Sequence, residues 1–204
     1  MMAPLLLPLL AALLLAGCGD AAEGEPPPGG GEGLAAAAEA GPTPYTSPEG
    51  FALPFRTELP EGIRAEPLTL DDEDGIRFVG YPGGARSDSA YVYVFVHPPG
   101  ASEEAARETV RTIAERVRIP GNRTELDPAN PQPWAVVEYP IYSLGTVHEP
   151  LRGWVALGAH GGRWFHVIVQ YPEELEAWFT PRAERILDAW RWTGTGTGTP
   201  LRRP

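Results

Sequence analysis

The chain has 204 residues with 43% hydrophobic and 21% charged positions, which suits one globular domain plus accessory segments and leaves no room for two full domains. Its formal net charge is −11 and its 16 basic residues are all arginines, so it lacks the basic footprint of a nucleic-acid binder. A single cysteine excludes an intrachain disulfide framework and any multi-cysteine zinc site.

The first predicted element is an export signal. Residues 3–17 read APLLLPLLAALLLAG and end at Cys18. That run is short for a bilayer span, which needs about 20 residues, and it fits the apolar region of a signal peptide over residues 1–17. Leu15-Ala16-Gly17-Cys18 resembles the lipobox of bacterial lipoproteins. The resemblance implies cleavage between Gly17 and Cys18 and a lipid on the cysteine sulfur, palmitate among its acyl chains. It also implies a location in the bacterial cell envelope, membrane-anchored, with the domain on the extracytoplasmic side. Acyl chains bury about 0.8 kcal/mol per methylene, so two or three of them anchor a chain firmly. Met1-Met2-Ala3-Pro4 departs from that family's pattern, since it carries no Lys or Arg before the apolar run.

Residues 18–48 hold the lipidated Cys18 and an acidic, Pro/Gly/Ala-rich stretch that contains five carboxylates and no base. Such a segment buries too little apolar surface to offset its ordering entropy, so a flexible tether is expected. Residues 194–204, GTGTGTPLRRP, are expected to be a disordered tail by the same reasoning. Between them, residues 49–193 carry all six tryptophans and every other long apolar run, and form the predicted domain.

Within the domain, strands are predicted at Phe51–Phe55, Ile63–Leu70, Ile76–Tyr81, Ala90–Val96, Trp134–Tyr142, Leu151–Gly158 and Arg163–Tyr171. Asp74-Gly75 reads as the turn of a hairpin and Gly161-Gly162 as another. Ser102 is placed to cap a helix whose first turn holds Glu103 and Glu104 and whose apolar stripe is Ala106, Val110, Ile113 and Val117. A second helical segment follows Pro172 with Leu175, Phe179, Ile186 and Trp190 on one side, and Thr180-Pro181 is expected to divide it in two. Ala90–Val96 and Trp164–Val169 are apolar on both alternating faces apart from His166, which predicts a sheet covered on both sides. The expected fold is therefore α+β, a mostly antiparallel sheet sandwiched between helices.

Several landmarks carry a second resemblance. They are Pro48-Glu49-Gly50-Phe51, Leu59-Pro60-Glu61-Gly62-Ile63, Gly162-Arg163-Trp164-Phe165, Tyr171-Pro172-Glu173, Trp178 and Ile186-Leu187. In this order they resemble the PsbP-like domain of photosystem extrinsic subunits and of bacterial envelope lipoproteins. That resemblance implies a binding or assembly module and no enzyme, and it transfers no metal ligand.

The residues themselves offer little catalytic chemistry. Asp71–Asp74 before Gly75 does not fit a calcium loop, because Leu70 and Tyr81 occupy positions that need an acid. His97, His148, His160 and His166 form no close ligand pair along the chain, and none of the five serines lies in Gly-x-Ser-x-Gly. No cofactor and no metal is expected. Tyr91, Tyr93, Phe95, Tyr139, Tyr142, Trp154 and His166 are candidates for a ligand groove, against the alternative that they pack beneath a helix. Three functions follow as expectations. The first is a lipid-anchored envelope protein whose domain binds another, unidentified envelope protein or supports assembly. The second is a binder of a small ligand or lipid in a pocket between sheet and helix. The third is a hydrolase with an unrecognised site.

Overall fold

The computed structural model describes residues 41–70, 73–116, 132–143, 150–194 and 199–201. The signal segment, Gly17, Cys18 and the expected tether as far as residue 40 lie outside them, as do Asp71, Asp72, Val117 and His148. Among the described residues, ten strands form two sheets. They are β1 (Thr43–Thr46), β2 (Phe55–Leu59), β3 (Ile63–Leu70), β4 (Glu73–Gly80), β5 (Ser87–Val96), β6 (Val137–Ser143), β7 (Leu151–His160), β8 (Arg163–Pro172), β9 (Arg191–Trp192) and β10 (Thr199–Pro200). Two α-helices, α1 (Glu103–Arg116) and α2 (Glu176–Asp188), complete the described elements, with short 3-10 turns at Pro82–Gly84 and Glu173–Leu175.

The larger sheet runs β3-β4-β5-β8-β7-β6, antiparallel throughout. Its edge strands, β3 and β6, carry Pro67 and Pro140, which fits proline's lack of a ladder donor. Gly153 lies inside β7 at φ 145°, where a Cβ would collide with the Val169 carbonyl of β8, so only glycine allows that approach. The smaller sheet runs β1-β2-β9-β10.

The α+β expectation is corrected by this architecture. The protein is largely β, and among the described residues no single sheet is sandwiched between helices. On one side of the large sheet α1 covers only the β6–β8 half, packing Ala106, Val110 and Ala114 on Val137, Ile141, Val155, Leu157 and Ile168. On the other side the small sheet shares the cover with α2. Phe55 of β2 stacks on Trp190 at 3.6 Å and 14°, Trp192 of β9 stands edge-on to both, and Phe78 of the large sheet closes the group. This aromatic burial is the reason a second sheet forms: it hides Phe55, Trp190 and Trp192, which are at most 2% exposed.

Smaller departures have equally local causes. β1 pairs with β2 from Thr43 onward, so the end of the expected tether is a strand. β10 pairs with β9, and Leu201 packs on the core, so part of the expected tail is ordered. Phe51–Pro54 is a bend rather than a strand and only Phe55 belongs to β2; the bend is closed by Ser47, whose N–H donates to the Phe55 carbonyl and whose hydroxyl accepts the Phe55 N–H. Leu70 pairs with Glu73, moving the hairpin turn ahead of Gly75. Gly75 sits in β4 beneath the Tyr93 ring, where a side chain would clash. The second helix is continuous through Pro181, and the buried Thr180 hydroxyl makes no cap. Ser102 does cap α1, its hydroxyl accepting from the Ala105 N–H at 3.1 Å.

Candidate ligand cleft between the large sheet and the second helix

A cleft of about 310 Å³ opens where α2 crosses the end of β7 and β8. Its floor is Trp154 of β7 with Val169 and Tyr171 of β8. Trp154 and Val169 are direct cross-strand partners, and Tyr171 follows Val169 by two, so strand alternation turns all three to one face. The α2 wall is Thr180, Ala183, Glu184, Leu187 and Asp188, a stripe at helical three- and four-residue spacing. Gln132, ahead of β6, closes one end.

Neighbouring groups hold these walls. Trp134 packs against Trp154 at 6.2 Å and against Phe165 at 5.7 Å, and Tyr171 leans on Phe179. The carboxylate of Glu138, itself buried, accepts the Gln132 N–H at 3.0 Å, and burial pushes its pKa up. At the other end of α2, Trp178 lies over Gly62 of the Leu59–Gly62 turn, where a Cβ would come within 2.9 Å of its ring. Arg182 stacks on Trp178 at 4.3 Å and donates to the Glu61 carbonyl at 3.0 Å. The turn and the helix tryptophan, far apart in the chain, are thus one contact that fixes how α2 sits.

Two other depressions are larger but less defined by the fold. One, about 430 Å³, lies along the outer side of α1, where Arg107 and Arg111 are already paired with Glu103 and Glu108. The other, about 440 Å³, lies beside the Leu59–Ala65 turn and is bounded by Gly41, the first described residue.

The expected aromatic groove is not assembled as a unit. Val169 pairs with both Val92 and Trp154, so Trp154 shares the face of Val92 and stands opposite Tyr91 and Tyr93. Tyr91, Tyr93, Tyr139 and His166 lie on the α1 side of the sheet. Tyr142 belongs to β6, and its side chain lies outside the described residues. Of the candidates, only Trp154 lines the cleft.

The α1 side holds something the chain order hides. His166 Nδ1 and His97 Nε2 are 3.2 Å apart, and Phe95 stacks on His166 at 4.8 Å. Both histidines are buried. Burial, with His97 beside it, pulls the His166 pKa down to about 3, and burial lowers that of His97 as well. One neutral ring donates to the other. Among the described residues no group of three or more His, Cys, Asp or Glu is placed to hold a metal ion, and no helix is long and apolar enough to cross a membrane.

Comparison of the sequence with models of known protein families gives no match, and comparison with curated proteins gives none either.

Proposed function

We propose that the chain is a lipid-anchored protein of a bacterial envelope whose domain is a small-ligand-binding module. The anchor is supported by Leu15-Ala16-Gly17-Cys18 at the end of the apolar run. The binding role is carried by one observation: the cleft between sheet and helix, about 310 Å³, whose aromatic floor of Trp154 and Tyr171 faces a helix wall bearing Thr180, Glu184 and Asp188. Ligand sites are typically concave and about 300–1,000 Å³, with converging polar groups that orient the ligand, so this cleft, at the small end of that range, suits a small ligand. The PsbP-like resemblance belongs to the same proposal and points to a binding role without a catalytic step.

A fragment screen read by NMR on the full chain tests this reading. Binding fragments are expected to shift the Trp154 indole, Tyr171 and Leu187 resonances together. Shifts confined to other surfaces, or none, would contradict it.

A second reading, a module that binds another envelope protein, is favoured by the other face of the sheet. There Tyr91 and Tyr93 are half-buried, Arg77 stacks on Tyr91 at 4.1 Å and Arg64 on Tyr81 at 4.2 Å. Tyrosine and arginine are enriched at protein interfaces.

A further inference from the structure

The geometry points to a small organic ammonium ion as the ligand of the cleft beside α2. This inference rests on the ligand-binding reading above and adds the chemical class.

Charge is the first argument. Thr180, Glu184 and Asp188 follow one another at four-residue steps along the α2 wall. Among the described residues, neither the Glu184 nor the Asp188 carboxylate has an ion-pair partner. The arginines of the same stretch are engaged elsewhere. Arg182 is held by the Glu61 and Trp178 carbonyls, at 3.0 and 2.7 Å. Arg185 pairs with Glu58 at 2.9 Å. Arg191 donates to the Asp188 and Trp190 carbonyls at 2.7 and 2.6 Å. The cleft lining therefore carries two negative groups and no positive one.

Aromatic and polar chemistry supply the second argument. Trp154 and Tyr171 offer flat ring surfaces on which the carbon part of a ligand stacks. The Thr180 hydroxyl is buried and, among the described residues, without a hydrogen-bond partner, so an N–H reaching it would satisfy an acceptor that otherwise goes unused. A carboxylate or phosphate ligand would meet like charge at the mouth. A divalent metal ion would find only two carboxylates, short of a coordination shell. An alkyl or aryl ammonium fits all the groups at once: its carbon part on the aromatic floor, its nitrogen toward Thr180, Glu184 and Asp188.

The test titrates the full chain with three probes of similar size, 2-phenylethylammonium, 2-phenylethanol and 3-phenylpropanoate, reading the Trp154 indole resonance. The ammonium is expected to bind at least about tenfold more tightly than the alcohol, with the anion weakest, and its advantage is expected to shrink in high salt. The double variant Glu184→Gln, Asp188→Asn changes two exposed side chains. It is expected to erase the ammonium's advantage, so that ammonium and alcohol, both titrated on this variant, bind it equally. Equal binding of ammonium and alcohol at Trp154, or tighter binding of the anion, would overturn the ammonium assignment while leaving the cleft as a ligand site. No shift at Trp154 with any probe would overturn both.

Discussion

Replacing Trp190 by alanine is expected to be among the most damaging single changes in the domain. The residue is fully buried, lies 3.6 Å from the Phe55 ring in a stacked pair, and touches Phe78 and Trp192 edge-on. It links β2, the end of α2 and the large sheet. Truncating a buried Trp costs about 3–5 kcal/mol. For a domain of this size each kcal/mol moves Tm by about 2–4 °C, so a drop of roughly 6–20 °C is expected. The indole N–H adds a distinguishing feature, because it is buried and, among the described residues, has no hydrogen-bond partner. Leaving such a donor unsatisfied costs about 1–3 kcal/mol, so Trp190→Phe, which keeps a stacking ring and removes the donor, is expected to recover more than about half of the alanine loss. Urea denaturation and calorimetry on both variants measure this. Wild-type stability in Trp190→Ala would refute the placement of this residue at the centre of the core. Equal losses in the Phe and Ala variants would refute the account of the orphan donor.

The buried histidine pair makes stability depend on pH. His166 is held down to about 3 in the folded protein, chiefly by burial, against about 6.5 in an unfolded chain, so the unfolded state binds more protons between those values. Stability is therefore full above about pH 6.5 and falls toward pH 3 by about 1.4 kcal/mol per pH unit for this one group. Urea titrations at pH 7, 6 and 5 are expected to show that slope in wild type and a shallower one in His166→Phe; the same slope in both would contradict it. At the N-terminus, Cys18→Ala is expected to abolish incorporation of a labelled fatty acid and to release the protein from the membrane fraction, and undiminished labelling would remove Cys18 as the anchor.

What could be read from the sequence follows how local each signal is. Ile63–Leu70 is a strand with the expected bounds because its residues alone favour one, and Ser102 marks the start of α1 because capping involves only the next few N–H groups. Phe179, Ile186 and Trp190 are buried as their spacing on the second helical segment predicts. The small sheet is not legible, since β9 and β10 are two residues each and β9 pairs with β2 from the start of the domain. The groove was misassembled for a related reason. Alternation says that Tyr91 and Tyr93 share a face, but only the register of β5, β8 and β7 says that Trp154 does not join them. His97 and His166, 69 residues apart, meet through the same register. The cleft itself depends on where α2 crosses β7 and β8, which the Gly62–Trp178 contact helps set and no periodicity encodes.

Intermolecular NOEs from bound 2-phenylethylammonium test the central claim most directly, because they report which side chains touch the ligand. The account predicts contacts from its ring protons to the Trp154 indole and the Leu187 methyls, and from the methylene next to nitrogen to the Thr180 methyl. Contacts found only with Tyr91 and Tyr93, on the opposite side of the sheet, would contradict it.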